Sequence, residues 1–331
     1  MLSEVALTGL AEKLRQSRGI AAKADIAAVA AALDLSGDDA IAVGDDCAAI
    51  PDGDGYTLFA IEGFMNEFVA ADPWFAGWCG AMVNISDVAA MGGRPTAIVN
   101  AIWSNGADNA APILEGLKAA AKTFGVPVIG GHTNVRSSQS QFAVAILGRA
   151  RRLLTSFDAR AGDKLIAAID LRGRYREPFA NWEAATDAPA ERLRGDLEIL
   201  PSIAESGLAL AAKDISQGGI IGTAAMLAEC SKVAITLDLD AIPIPDGVPL
   251  ERWLLTFPSF GYLLSVKPDH IDETLARFGQ RGIAAASIGE VTTGTSVTIR
   301  AAAGRATVWD FSQQPLIGCA PDQRSAQRSV A

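Results

Sequence analysis

The sequence has few of the side chains that build soft-metal centres or disulfide frameworks. Among its 331 residues are two histidines, His132 and His270, and four cysteines, Cys47, Cys79, Cys230 and Cys319. The cysteines lie far apart with no C-x-x-C pair, which argues against zinc and for reduced, mostly buried thiols. Any metal is expected to be a hard cation held by oxygen. No apolar run approaches the ~18–20 residues that span a bilayer, and the first turns of the chain carry no signal-peptide core. These absences predict a cytoplasmic protein without a membrane partner. Positive charge is also scarce: 28 Lys and Arg against 38 Asp and Glu leave a net charge of −10, which excludes a basic footprint for nucleic acid.

What is present is core material. Half the residues are hydrophobic, and the length suits two domains. Residues 1–40 read as alanine-rich helices carrying Lys13, Arg15, Arg18 and Lys23, a cationic group that is either a solvated face or a cover for a ligand. Residues 41–150 read as an α/β unit. It has a Gly-Asp-Asp turn at 44–46 and strands at 57–61, 95–103, 126–129 and 141–147. Helices are expected at 74–91 and 110–124, and a turn at 130–134. A charged connection at 149–163 leads to a second α/β unit, 151–315. Its expected strands are 164–169, 208–212, 233–237, 262–266, 283–291 and 296–299; its helices are 191–206, 220–230 and 271–280. The stretch 172–189 is polar and broken by prolines, and 316–331 reads as a disordered tail.

The segment VNISDVAAMGG, residues 83–93, is the most informative. Asn84, Asp87 and Met91 fall at i, i+3 and i+7, one helix face. A carboxamide and a carboxylate on an apolar stripe need partners if buried, and a metal or polar ligand would supply them. Alternatively the two residues cap a broken helix. Three other turns bear acids or glycines: Gly44-Asp45-Asp46, Gly130-Gly131-His132-Thr133, and the run Asp214 to Gly219. If Asp45, Asp46, Asp87 and Asp214 met, repulsion would be a few kcal/mol per pair, at ~4–5 Å and an effective dielectric near ~20, so cations would have to neutralise them. Mg²⁺ suits carboxylates shared with phosphate oxygens. Gly218-Gly219 precede a helix whose N-terminus attracts phosphate, and Gly130-Gly131 permit close backbone approach. Paired Asp in a turn is otherwise ordinary capping chemistry. Neither a P-loop nor a G-x-G-x-x-G is present.

Taken in order, GDDCAAI, DPWFAGWCGAMVNISDVAAMGGRP, IGGHTN, DISQGGIIGTAAMLAEC and IGEVT resemble a superfamily with five well-known members. These are aminoimidazole ribonucleotide synthase, thiamine-monophosphate kinase, selenophosphate synthetase, formylglycinamidine ribonucleotide synthase and the hydrogenase-maturation carbamoyl dehydratase. The match spans residues 40–295 and looks most like the aminoimidazole ribonucleotide synthase-related branch. The resemblance implies an α/β (α+β) two-domain fold. The N-terminal sheet would form a barrel with that of a second subunit, and ATP and Mg²⁺ would lie in a cleft between domains. By position, Asp45 or Asp46, Asp87 and Asp214 match acidic metal or nucleotide positions. Asn84 accompanies Asp87, and Glu62 stands where many relatives place an aspartate. Departures are equally clear. His132 replaces the kinase's acid and the synthase's glutamate, Gln217 replaces a second kinase acid, and Asp214 stands at the synthase's histidine. No cysteine precedes Cys47, and Cys319 is not terminal.

The chain is therefore expected to be an ATP- and Mg²⁺-dependent homodimer that transfers the γ-phosphoryl group to an amide or carboxylate oxygen of a small metabolite. Asp214 and His132 are its candidate catalytic residues. Asp45, Asp46, Asp87, Asp214 and Glu62 are candidate metal ligands, and Asn84, Gly130, Gly131, Thr133, Gly218 and Gly219 line the nucleotide. Two alternatives stay open: a phosphomonoester kinase of the thiamine-monophosphate type, and a nucleotide-binding partner subunit without turnover. Trp74, Phe75 and Trp78 read as core or interface, and His270 as a surface residue at a helix start.

Overall fold

The computed structural model describes residues 3–33, 35 and 41–318. Most of the tail expected at 316–331, with Cys319, lies outside them. Three helices open the chain: α1 (Glu4–Arg15), α2 (Arg18–Ala21) and α3 (Asp25–Ala32). Next come β1 (Ala48–Asp52), β2 (Gly55–Phe64), α4 (Asn66–Ala71), α5 (Pro73–Ala90), β3 (Arg94–Asn105), α6 (Ala107–Phe124), β4 (Val128–Asn134) and β5 (Arg136–Ala150). The middle holds β6 (Lys164–Ile169), β7 (Arg174–Tyr175), β8 (Asn181–Glu183), α7 (Ala190–Leu197), α8 (Ile199–Ser206), β9 (Ala211–Asp214), α9 (Gly219–Ser231) and β10 (Ala234–Asp238). Last are α10 (Leu250–Leu254), β11 (Phe257–Pro258), β12 (Gly261–Val266), α11 (Ile271–Gly279), β13 (Ala284–Thr292), β14 (Ser296–Ala301) and β15 (Gly304–Asp310).

Contacts divide the chain into two units, Asp46–Leu153 with Ala185–Glu205, and Met1–Asp45 with Leu154–Ala184 and Ser206–Ala331. The first holds a five-stranded sheet ordered β1-β2-β5-β3-β4, antiparallel except for β3 with β4. Strand alternation gives it two unlike faces. Leu58, Ala60, Ile98, Ile102, Phe142, Val144 and Ile146 are buried beneath α4, α5 and α6. Phe59, Ile61, Val99 and Leu147 point the other way and are 46%, 66%, 39% and 40% exposed. α5 begins where Asp72 accepts from the Phe75 amide at 3.2 Å, with Pro73 in the first turn, and ends before Gly92 at φ +73°. Arg94 on β3 pairs with Glu198 and Glu205, and Arg194 on α7 donates to the last carbonyls of α6, which fastens residues 185–205 to this unit.

The second unit is built on a seven-stranded sheet, β15-β14-β10-β13-β6-β12-β9, with a small sheet, β11-β8-β7, beside it. Every residue of α9 is buried. α1 lies on β14 and β15 through Leu7, Leu10 and Leu14. Near the chain's end the Glu229 carboxylate accepts from the amides of Leu316, Ile317 and Gly318.

The two α/β assemblies of the expected fold are thus present, while neither sheet closes into a barrel; each keeps two open edges. Two expected elements are corrected. Residues 130–134 form no turn, because β4 continues through them beside β3. The strand placed at 208–212 runs instead over Ala211–Asp214, where β12 offers its ladder. The small sheet and β15 were not anticipated. Their strands are too short, or too polar on one face, to give a period.

Candidate functional site

α5 runs unbroken past Asn84 and Asp87 to Ala90, so these two residues do not cap a broken helix. Both are buried in helix interior, Asn84 completely and Asp87 at 5% exposure, with Met91 buried on the same face. Asn84 donates from Nδ2 to the Gly80 carbonyl at 2.8 Å, one turn back. Its Oδ1 is buried and accepts no hydrogen bond. A buried polar oxygen in that state costs roughly 1–3 kcal/mol, so it is retained against a penalty.

Asp46, half-buried in the bend before β1, brings a carboxylate oxygen within 4.8 Å of one from Asp87. At that separation two charged carboxylates repel by about 3 kcal/mol at an effective dielectric near 20. A cation removes the cost. Two carboxylates offering only oxygen form a donor set that fits Mg²⁺ and does not suit a softer metal.

The structure separates the two neighbouring aspartates. Asp45 turns to Ser156, whose Oγ donates to its Oδ1 at 2.6 Å and whose amide donates to its Oδ2 at 2.8 Å. Glu62 sits opposite Val144 on the helix-covered side of β2 and is half-buried. Gly130, Gly131, His132 and Thr133 are all exposed on β4. The His132 ring lies 5.5 Å from that of Trp103 on the neighbouring strand. Gly131 has a packing reason, since a Cβ there would come within 2.3 Å of the Asn100 carbonyl oxygen.

In the other unit Asp214 ends β9 and is 3% exposed, and Thr223 donates to its backbone carbonyl at 3.3 Å. Gly218 and Gly219 take φ of +103° and +63° and are buried. A Cβ on Gly219 would lie 2.3 Å from the Leu254 carbonyl oxygen, so close packing accounts for glycine there. Gly19 of α2 packs against Gly218, a neighbour that sequence reasoning missed. Its only sequence signal was the glycine in the break between the first helices. His270 is less superficial than expected, with Nδ1 3.1 Å from the Leu208 carbonyl oxygen. Trp78 and Phe75 are core, and Trp74 stacks on Trp78.

Comparison with known proteins adds a lineage to this geometry. Residues 44–150 match the family model "AIR synthase related protein, N-terminal domain", and residues 176–302 match "AIR synthase related protein, C-terminal domain". A protein of Synechocystis sp., described as uncharacterized, is 47% identical over 321 residues, covering 96% of this chain and 99% of that one. The selenide, water dikinase of Citrifermentans bemidjiense is 28% identical over 268 residues, 66% of this chain and 76% of the relative. Among solved structures, T. maritima PurL complexed with ATP superposes with a TM-score of 0.71 at 20% identity, covering 88% of this chain. That likeness is one of fold, and this chain spans about half the PurL chain, 49% of its length.

Proposed function

Because the chain belongs to the AIR synthase related protein family, we propose that it is an ATP- and Mg²⁺-dependent phosphoryl-transfer enzyme. Its acceptor in this reading is an amide or carboxylate oxygen of a small metabolite. The observation that carries the reading is the pair of carboxylates, Asp46 and Asp87, whose oxygens lie within 4.8 Å of one another. Phosphoryl transfer is supported by the similarity to a dikinase, and ATP by the likeness to PurL complexed with ATP. A bound Mg²⁺ would neutralise the carboxylates and the phosphate charge that builds during transfer. Asp87 is the rigid ligand, because α5 and its burial fix its rotamer. Asp46, on a bend, adapts to the ligand. Asn84 Oδ1 takes a hydrogen bond from a donor that the ligand brings. Asp214 is kept in this reading as a further carboxylate for the nucleotide's metal ions. The active species is a homodimer through the uncovered face of the five-stranded sheet.

Asp87→Asn tests the assignment. Mg·ATP at 100 to 1,000 times its Kd stabilises a binding protein by about 3–4 kcal/mol. We expect that stabilisation in thermal melts of the native chain and its loss in the variant, with the unliganded melt retained. A variant stabilised as strongly as the native chain, or a native chain with no response, would sink the reading. ADP release screened over amides, carboxylates and phosphomonoesters then finds the acceptor. Thiamine monophosphate is expected to turn over well below about 1 per second, because His132 and Gln217 replace acids that a phosphate acceptor needs. A faster rate would promote the kinase alternative.

A further inference from the structure

Two contacts hold the turn Gly44-Asp45-Asp46, and both trace back to the end of α9. Gly44, at φ +119°, accepts at its carbonyl from the Cys230 thiol at 3.5 Å. Asp45 accepts at Oδ1 from the Ser156 hydroxyl at 2.6 Å and at Oδ2 from the Ser156 amide at 2.8 Å. Ser156 is itself fully buried and fixed, because Ser231 Oγ donates to its carbonyl at 2.7 Å. The same Ser231 oxygen accepts from the Ala159 amide at 3.0 Å, so it serves as donor and acceptor at once. Cys230 and Ser231 are the last two residues of α9, a helix buried along its whole length.

A carboxylate partly withdrawn from water is stable where hydrogen bonds replace its hydration. Ordinary turn chemistry joins an aspartate to an amide two or three residues ahead. The bonds to Ser156 go beyond it, since that residue lies 111 positions along the chain. Two charge-assisted bonds to one buried residue fix the carboxylate in one orientation, and with it the Asp45 backbone. Asp46 follows directly in sequence. An aspartate side chain has two torsions and a short reach, so the place of its Cα decides what its carboxylate touches. The held turn therefore sets whether oxygens of Asp46 and Asp87 meet within 4.8 Å.

We infer that Asp45 is a positioning residue: Ser156 holds its carboxylate, and the turn so fixed presents the neighbouring Asp46 to the Mg²⁺ shared with Asp87. This rests on the reading of Asp46 and Asp87 as metal ligands of an ATP-dependent enzyme. Asp45 contributes hydrogen-bond acceptors to the turn and no bond to the metal. Its charge is dispensable and its shape is not.

The test compares Asp45→Asn with Asp45→Ala in the full chain. Both are titrated with Mn²⁺, a paramagnetic stand-in for Mg²⁺, in the presence of ATP and followed by electron paramagnetic resonance. Asparagine keeps both contacts: Oδ1 accepts from the Ser156 amide, and Nδ2 donates to the Ser156 hydroxyl oxygen. Alanine keeps neither. Loss of the groups that orient a metal ligand weakens metal binding by about 10–100-fold. We expect a loss of that size in Asp45→Ala and no more than about threefold in Asp45→Asn. Ser156→Ala removes the hydroxyl and keeps the amide, so it should fall between them, and it serves if Asp45→Ala does not fold. Leu7→Ala, destabilised beneath α1, should bind Mn²⁺ as the native chain does. Native affinity in Asp45→Ala or Ser156→Ala overturns the inference alone. So does a loss in Asp45→Asn equal to that in Asp45→Ala, which makes Asp45 a ligand through its charge. A loss in Leu7→Ala as large as in Asp45→Ala also overturns it, because general stability then explains both. A native chain that binds no Mn²⁺ with ATP removes the functional reading and this inference together.

Discussion

Asn84 shows how a single residue can be kept against the fold's interest. Its Nδ2 shares a carbonyl, Gly80, that the helix already bonds, while Oδ1 is buried without a donor. Leucine has a similar shape and no polar atoms, so Asn84→Leu should raise the stability of the unliganded protein by about 1–2 kcal/mol. The same change should abolish the stabilisation by Mg·ATP. Urea titration with and without ligand checks both halves, and a destabilised variant that still responds to ligand would contradict the role given to Asn84. The shared face of Asn84 and Asp87 in the candidate site was legible, because helical period alone gives it. The choice between Asp45 and Asp46 was not. Adjacent turn residues point in different directions, and what claims Asp45 is Ser156, far along the chain.

At the scale of elements, the α5–α6 crossing depends on two glycines facing each other. A Cβ on Gly77 would lie 1.9 Å from the Ile113 carbonyl oxygen, and one on Gly116 would lie 1.8 Å from that of Trp74. The backbones touch, so Gly116→Ala must push the helices apart. Overpacking of this kind costs roughly 1–3 kcal/mol, occasionally more, and backbone contact on both sides puts this site at the upper end. Chemical denaturation measures it, and a change below about 0.5 kcal/mol would show that the helices slide freely. A second joint is titratable. Hydrogen bonding to Arg94 holds the Glu205 carboxyl below the usual carboxylate range. A depressed folded-state pKa gives stability that is present above the unfolded value and lost as pH falls through the folded one. Hydrogen exchange in α8 should therefore accelerate as pH drops below the ordinary carboxylate range, after correction for the intrinsic rate, and Glu205→Gln should remove that step. Element positions were largely legible, α5 within a residue. The clearest failure, β4, has a physical cause. Gly130-Gly131 looks like turn punctuation, yet glycine at 131 is required by the Asn100 carbonyl beside an extended strand.

At the scale of the molecule, a linear reading divides the chain into contiguous segments, whereas contacts group residues 1–45 with the later unit and 185–205 with the earlier one. Such exchanges are carried by packing between distant residues, and local period does not encode them. The five-stranded sheet poses the remaining question, because helices cover one face and nothing in the chain's own unit covers the other. Phe59, Ile61, Val99 and Leu147 lie together there, at 39–66% exposure, on three adjacent strands. Five strands at ~4.8 Å spacing and about ten residues in mean length present roughly 800 Å² in projection, comparable with the ~800 Å² of accessible surface per partner in a stable interface. An exposed apolar cluster on that face is a liability in a lone subunit, and a second copy covers it with the same surface. We therefore expect a homodimer by light scattering at micromolar concentration. Ile61→Lys places a charge at the most exposed apolar position of that face, where a dimer would bury it without a partner. It should yield a monomer with unchanged far-ultraviolet circular dichroism. A native chain that is monomeric would refute the dimer. A dimer that survives Ile61→Lys would move the interface to another surface and leave this face for a different partner.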